Sequence, residues 1–134
     1  MRPLSDLPRA VATGAHTVFS DIDDTLTTDG RLTPPAYAAM DALQRAGLRV
    51  ILITGRPAGW CDHIGRMWPV DGVIGENGAF YCWHDAAAHK LQCRHLLNAT
   101  ERSAHAARLA RVRDTILREV PGSAVASDQF CRLY

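Results

Sequence analysis

The sequence predicts an α/β fold in which helices cover both faces of a parallel sheet. Segments typical of strands alternate with segments typical of helices along the first part of the chain, an order characteristic of such folds. The strand segments are continuous apolar runs, as expected where both faces of a sheet are buried. With 134 residues and 47% hydrophobic content, the chain is expected to form one core rather than two.

Three strands and two helices are predicted in this first part. The first helix begins with Pro34-Pro35 after Thr33, a residue suited to cap a helix, and Gly47 is placed to end it. Ligands of parallel sheets gather at the carboxyl ends of the strands, so chemistry is expected there. The predicted strands cover residues 17–21, 49–54 and 72–74, and the predicted helices cover residues 34–46 and 59–67.

A hairpin is predicted next, with arms at residues 79–83 and 89–93 and a turn around residues 85–88. Its arms also carry thiols and imidazoles, which are zinc ligands. The spacing matches no zinc motif, so ordinary hairpin residues are the favoured interpretation and a zinc site is the alternative. The candidate ligands would be Cys82, His84, His89, Cys93 and His95.

A long amphipathic helix follows the hairpin. Asn98 or Thr100 is suited to cap it, and its apolar spacing continues to about Val120. We interpret its arginines as a solvated face rather than as a phosphate site. Residues 124–127 are predicted to begin another strand.

Composition and charge argue against several classes of function. A formal net charge of +1 favours neither nucleic acid nor a membrane as a partner, and no apolar run is long enough to span a bilayer. Residues 1–16 lack the apolar centre of a secretory signal and are expected to form a loose lead. Four cysteines without a CxxC pair indicate a cytoplasmic protein with reduced thiols. The sequence carries no signal for an oligomeric state.

The clearest chemical signal is a pair of acidic residues after the first apolar run. Asp21 and Asp23 are two positions apart, so on an extended segment their side chains point the same way. Two carboxylates that close repel each other unless a cation lies between them, and Mg²⁺ favours such oxygen ligands. One carboxylate could attack an electrophile while the other transfers a proton. An acidic turn after a strand is the alternative interpretation.

Three motifs resemble those of the haloacid dehalogenase (HAD) superfamily. The run DIDDTLT at residues 21–27 resembles the family's Asp-x-Asp-x-Thr pattern after a buried strand. The run TGRP at residues 54–57 resembles the second motif, which lies at the tip of the next strand. The run GENGA at residues 75–79 resembles the Cof-type, sugar-phosphate phosphatase branch. The motifs occur in the family's order, and each follows a predicted strand.

The resemblance implies a Rossmann-like core followed by a type IIB cap. Residues 1–16 would be an N-terminal lead, residues 17–80 the first part of a HAD-like core, and residues 81–134 the hairpin, the long helix and the beginning of an α+β cap. In this arrangement Val18 and Phe19 would lie at an open edge of the sheet, which is an aggregation liability.

The resemblance further implies a Mg²⁺-dependent phosphatase that acts on a sugar phosphate or similar small phosphorylated metabolite. Asp21 would be the nucleophile that forms an aspartyl phosphate, and Asp23 would be the general acid and base. Both would take part in binding Mg²⁺. Thr54 and Gly55 would bind the phosphate. Arg56 and Asn77 would contact the substrate.

Two motifs of the family have no counterpart here. The only lysine, Lys90, lies in the hairpin, and neither Asp114 nor Asp128 fits the acidic pair that completes the metal site. Residues 127–134 resemble the first strand of a cap, so we expect the chain to end within the cap. We favour a fragment of a longer phosphatase. The alternative is a catalytically incomplete domain that binds phosphorylated ligands or assembles with a partner chain, and a small capless phosphatase is a third option.

Overall fold

The computed structural model describes residues 3–128 of the chain. These residues form seven strands and four helices, with short 3₁₀ turns at Leu4–Asp6 and Glu76–Gly78. The strands are β1 (Thr17–Asp21), β2 (Thr27–Thr28), β3 (Arg31–Leu32), β4 (Arg49–Ile53), β5 (Gly72–Gly75), β6 (Phe80–Asp85) and β7 (Lys90–His95). The helices are α1 (Arg9–Thr13), α2 (Pro34–Arg45), α3 (Ala58–Met67) and α4 (Ala99–Glu119).

Five of the strands form one sheet in the order β1-β4-β5-β6-β7, and β2 and β3 pair separately. The strands β1, β4 and β5 are parallel, whereas β6 and β7 run antiparallel to their neighbours. The predicted α/β class is confirmed, but the sheet is mixed rather than wholly parallel. Only residues 76–79 connect β5 to β6, and so short a connection cannot form the crossover that a parallel neighbour requires. The hairpin therefore continues the core sheet beyond residue 80.

Both α2 and α3 pack on the same face of the sheet, which carries the core. We predicted helices on both faces, so this part of the prediction is wrong for the described residues. The chain moves from β1 to β4 to β5 in one direction, and right-handed crossovers then place both helices on one side. The buried core side chains are Ile22, Met40, Val50, Leu52, Cys61, Ile64, Val73, Phe80 and Cys82.

The opposite face of the sheet, which we call the open face, carries apolar side chains that are exposed or half-buried. The cross-strand pairs Phe19–Ile51 and Ile74–Tyr81 show which residues belong to this face, because their side chains lie on the side of the sheet opposite to the core. Within the described residues β1 is an edge strand, as expected for Val18 and Phe19. The apolar side chains of this face are Phe19, Ile51, Ile53, Ile74, Tyr81 and Trp83.

The helix α4 begins at a capping box. The Asn98 Oδ1 accepts a hydrogen bond from the Glu101 amide (3.0 Å), and the Glu101 Oε2 accepts one from the Asn98 amide (2.9 Å). Asn98 is therefore the cap, and Thr100 is not. None of the side chains of α4 is buried. No helix within residues 3–128 combines the length and apolar character needed to cross a bilayer.

Three predictions for the ends of the chain need correction or fall outside the described residues. The expected loose lead contains a short helix, α1, whose side chains are exposed. The strand predicted at residues 124–127 is wrong, because these residues are exposed and pair with no strand of the described part. The cap strand expected at residues 127–134 lies mostly outside the described residues.

Candidate active site

The strand β1 ends at Asp21, and a tight turn follows it. The turn is organised around the carbonyl of Ile22, which accepts hydrogen bonds from the amides of Leu26 and Thr27 (3.0 Å each) and from the Thr27 hydroxyl (3.1 Å). Ile22 and Thr27 are both buried. The buried pair therefore fixes the backbone on both sides of the turn that carries Asp23.

Asp21 is exposed at the carboxyl end of β1. In the parallel register its Cα is the partner of the Ile53 Cα on β4, so Asp21 lies next to the strand that leads into Thr54. Within residues 3–128 the Asp21 carboxylate has no hydrogen-bond or ion-pair partner, whereas the backbone carbonyl of Asp21 accepts a hydrogen bond from the Ser20 hydroxyl (2.9 Å). This carboxylate is therefore open to an incoming ligand.

The loops after β4 and β5 are tied together by backbone hydrogen bonds. The Thr54 amide donates to the Ile74 carbonyl (2.9 Å), the Asn77 amide to the Thr54 carbonyl (3.2 Å), and the Glu76 amide to the Arg56 carbonyl (3.3 Å). The Thr54 hydroxyl oxygen accepts from the Arg56 amide (3.1 Å). Thr54 is buried, and because a hydroxyl can accept and donate at once, this hydrogen bond leaves its proton uncommitted.

Glu76 has a structural role that the sequence analysis missed. Its side chain is buried, and Oε1 accepts a hydrogen bond from the Ala58 amide (3.1 Å) at the first turn of α3. A carboxylate at that position satisfies a free amide and interacts favourably with the helix dipole. Glu76 and Asn77 both have left-handed φ angles, +47° and +58°. The only sequence signal for this cap is the position of Glu76 in the GENGA run.

Arg56 and Asp23 form an ion pair with three hydrogen bonds. The Arg56 Nε donates to Asp23 Oδ1 and Oδ2 (3.2 and 3.1 Å), and Nη2 donates to Oδ1 (2.5 Å). The two side chains are 27% and 45% exposed, so water screens the pair. Its contribution to folding stability is therefore small, and its main effect is to orient both side chains.

The surroundings of Arg56 hold it as a cation. Hydrogen bonding to Asp23 raises the pKa of Arg56 above its ordinary value, against the lowering effect of burial, and the negative charge of Asp128 also raises it. The Arg56 guanidinium lies over the ring of Trp60, with 4.6 Å between Cζ and the ring centroid. Neither Trp60 nor Asp128 belongs to a recognised motif, so the sequence does not predict their interaction with Arg56.

The six candidate residues thus lie on three adjoining segments at the carboxyl ends of β1, β4 and β5. The turn after β1 and the loop after β4 meet at the Asp23–Arg56 ion pair, and the loop after β5 is bonded to the loop after β4. Arg56 was expected to contact the substrate, and in the structure it is hydrogen-bonded to Asp23, the expected general acid. The candidates are Asp21 and Asp23 after β1, Thr54, Gly55 and Arg56 after β4, and Asn77 after β5.

Residues 3–128 contain no group of three or more His, Cys, Asp or Glu side chains arranged to hold a metal ion. The zinc alternative for the hairpin therefore has no support in this structure. Cys82 and Cys93 face each other across β6 and β7, and burial raises the pKa of both thiols. A magnesium site has different needs, because Mg²⁺ is bound by one or two carboxylates, waters and substrate phosphate. The open Asp21 carboxylate fits that donor set.

The family of the chain is shown by its sequence. A family model described as haloacid dehalogenase-like hydrolase matches residues 18–112. The match covers more than half of the chain, so the chain belongs to the haloacid dehalogenase-like hydrolases. The resemblance carried by the three motifs is thereby confirmed at the level of the family. None of the curated proteins compared with the chain matches it significantly.

Solved structures share the fold. A phosphatase of the haloalkanoate (HAD) superfamily from Bacteroides thetaiotaomicron is 24% identical, with a TM-score of 0.54, and the match covers 81% of this chain and 39% of that one. A hypothetical protein from Geobacillus kaustophilus is 22% identical, with a TM-score of 0.53 and coverage of 76% and 38%. A haloacid dehalogenase-like hydrolase from B. subtilis is 23% identical, with a TM-score of 0.53 and coverage of 74% and 34%. The matched part of each of these proteins is thus less than half of its length.

Proposed function

We propose that the chain carries the nucleophile of a Mg²⁺-dependent phosphomonoester hydrolase. Its substrate would be a sugar phosphate or a similar small phosphorylated metabolite. The observation that supports this function best is the position of Asp21. Its carboxylate is open, and it lies in register with the residue that precedes the Thr54-Gly55 loop. A nucleophile and a phosphate-binding loop at adjoining strand ends are what phosphoryl transfer requires.

In the first half of the proposed reaction, Asp21 attacks the phosphorus of the bound ester. The bond from phosphorus to the Asp21 oxygen forms as the bond to the alcohol oxygen breaks, which gives an aspartyl phosphate. Asp23 donates its proton to the leaving alcohol oxygen. Before it can do so, at least one Asp23 oxygen has to be released from Arg56, since both accept hydrogen bonds in this structure.

In the second half, water attacks the phosphorus of the aspartyl phosphate. The Asp23 carboxylate takes a proton from that water, orthophosphate leaves, and the Asp21 carboxylate is restored. The Thr54 hydroxyl and the Gly55 amide would hold a non-bridging phosphate oxygen in both halves, and Asn77 would contact the substrate. Such donors act mainly by positioning the phosphate and by stabilising its charge.

The residues suited to hold Mg²⁺ are Asp21, through its carboxylate, and Asp23, through its backbone carbonyl. When bound, the ion would neutralise charge that develops on the transferring phosphate. Mg²⁺ usually keeps several waters and binds substrate phosphate in addition to one or two carboxylates.

The proposal is tested by release of orthophosphate from p-nitrophenyl phosphate and from a panel of hexose phosphates, with Mg²⁺ and with EDTA. Turnover by the intact protein should require Mg²⁺, and Asp21→Asn should reduce it to background. Asp24→Asn is the matched control, because Asp24 lies in the same turn with a φ of +57°, which asparagine tolerates. Unchanged turnover in Asp21→Asn, or an equal loss in Asp24→Asn, would contradict the assigned nucleophile.

A second candidate is a domain that binds phosphorylated ligands without hydrolysing them, or that assembles with a partner chain. It is favoured by the pairing of Asp23 with Arg56, because both oxygens of the expected general acid accept hydrogen bonds from a cation. The same assay separates the two functions. For a binding domain, orthophosphate should raise the melting temperature while no ester is turned over.

A further inference from the structure

Trp60 stands out because it is a large aromatic residue with substantial exposure next to the Asp23–Arg56 ion pair. It is 43% exposed and lies in the first turn of α3, four residues after Arg56. Packing in the core does not explain this position, because a tryptophan that packs in a core buries most of its ring. The contact that the structure gives it is the guanidinium of Arg56 against its face, which is the geometry of a cation–π interaction.

The Arg56 guanidinium is thus held on two sides. Two of its nitrogens, Nε and Nη2, are bonded to Asp23, and one of its faces lies against Trp60. A guanidinium has five N–H donors. The two on Nη1 have no acceptor among the described residues, so a fixed cation with unused donors lies at the strand ends where the phosphate would bind.

We propose that Trp60 is a positioning residue, which fixes the Arg56 guanidinium so that its Nη1 edge binds the phosphoryl group. This inference rests on the proposed function, because it assigns the Arg56 donors to the phosphate of the same site. A free arginine side chain loses much rotamer entropy when it is ordered by a ligand. An arginine already ordered by Asp23 and by the Trp60 ring loses less, so the ligand binds more tightly.

Orthophosphate binding provides a readout that does not depend on catalysis. Calorimetric titration in the presence of Mg²⁺ should show that Trp60→Ala weakens orthophosphate binding roughly 2- to 10-fold, the range expected of an exposed or partly desolvated cation–π contact. Trp60→Phe should recover most of the affinity, since a phenyl ring also presents a π face. Met67→Ala is the matched control, because Met67 is an exposed apolar residue of the same helix.

A double-mutant cycle tests whether Trp60 acts through Arg56. In the Arg56→Ala background, Trp60→Ala should have no further effect on the dissociation constant of orthophosphate, because the group that Trp60 positions is gone. In steady-state assays with p-nitrophenyl phosphate, Trp60→Ala should raise KM by the same factor as the dissociation constant and change kcat less than about twofold. A merely structural role would lower both activity and stability in every background.

The outcomes separate the inference from the proposed function. An unchanged affinity in Trp60→Ala, or an equal loss with and without Arg56, would overturn the positioning role. A titration in which the wild-type chain does not bind orthophosphate would overturn the positioning role as well. If the wild-type chain binds orthophosphate and shows the expected cycle but hydrolyses no ester, the positioning role stands and the proposed hydrolase activity is overturned.

Discussion

Asn77 lies directly over Gly55. The Asn77 Oδ1 is 3.0 Å from the position that a Cβ atom on residue 55 would occupy. The contact joins the loops after β4 and β5, which are also held by the hydrogen bond from the Asn77 amide to the Thr54 carbonyl (3.2 Å). A Cβ at position 55 would therefore force the Asn77 side chain to shift, and this contact rather than the φ angle of Gly55 favours glycine here.

Gly55→Ala should displace the Asn77 side chain and distort the proposed phosphate loop. Because the Asn77 side chain is exposed and free to shift, we expect unfolding in urea to show a loss of no more than about 1 kcal/mol. The dissociation constant for orthophosphate should rise several-fold. Gly14→Ala is the control, since a Cβ at Gly14 would make ordinary contacts of 3.7 Å or more.

A second variant shows whether the Asn77 contact is the cause. In an Asn77→Gly background the side chain that meets the new Cβ is removed, so Gly55→Ala should cost less stability than it does in the wild-type background. An equal cost in both backgrounds would mean that the strain arises elsewhere in the loop.

Gly75→Ala should be far more damaging than Gly55→Ala. A Cβ at this position would lie 2.3 Å from the Phe80 Cζ and 2.7 Å from the Cys61 Sγ, both in the buried core. Overpacking of this kind usually costs about 1–3 kcal/mol and sometimes more, so the urea midpoint should fall clearly. Unlike Asn77, Phe80 has no exposed space into which to move. A midpoint equal to that of Gly14→Ala would refute the assigned packing.

The difference between these two glycines illustrates what the sequence could predict. The runs TGRP and GENGA located the loops, and hydrophobic patterning located the strands before them. Patterning of this kind depends on local spacing. The contacts between Gly55 and Asn77, and between Gly75 and Phe80, depend on how residues distant in sequence are superposed in space. No local pattern encodes them.

The same reasoning explains the errors at the level of the fold. Apolar strand runs correctly predict β1, β4 and β5, but they do not establish that helices cover both faces of the sheet. An apolar run shows that side chains on both faces are hydrophobic, and Ile53 and Tyr81 show that such a face can remain exposed in the described residues. The sequence does not predict the contact of Trp60 with Arg56, because the run TGRP ends at Pro57 and Trp60 belongs to no motif.

Asn98→Ala should loosen the first turn of α4. The capping box contributes two hydrogen bonds, and loss of such a cap typically costs about 1 kcal/mol. Since no side chain of α4 is buried, packing cannot compensate, and the loss should appear as faster amide exchange at Glu101 and Arg102. Thr100→Ala is the control, because Thr100 is exposed on the same turn and does not cap it. Equal exchange in the two variants would contradict the cap.

Phe19→Lys should reduce self-association without destabilising the fold. Phe19 is 60% exposed on an edge strand and borders a concavity of about 390 Å³ on the open face, which Tyr81 and Trp83 also line. A lysine on an exposed edge strand opposes pairing between chains. Light scattering at rising protein concentration should fall relative to wild type, whereas Leu7→Lys, outside the sheet, should leave it unchanged. Equal scattering in Phe19→Lys and wild type would count against association through this face.

His95 should make folding stability depend on pH in the weakly acidic range. Burial lowers the pKa of His95 below its ordinary value of 6.5, the charge of Arg102 lowers it further, and Glu76 opposes both. The folded state therefore holds the imidazole neutral at a pH where the unfolded chain already binds a proton. By linkage, this group adds no pH dependence above about pH 6.5 and lowers stability as the pH falls below it.

His95→Gln should remove that contribution, since glutamine does not titrate. The free energy of unfolding of wild type minus that of His95→Gln, measured in urea, should be constant from about pH 8 to 7 and should fall between about pH 6.5 and 5. His84→Gln is the control, because His84 lies exposed on β6 of the same hairpin. A difference that stays constant or grows on acidification would show that the folded state does not favour neutral His95.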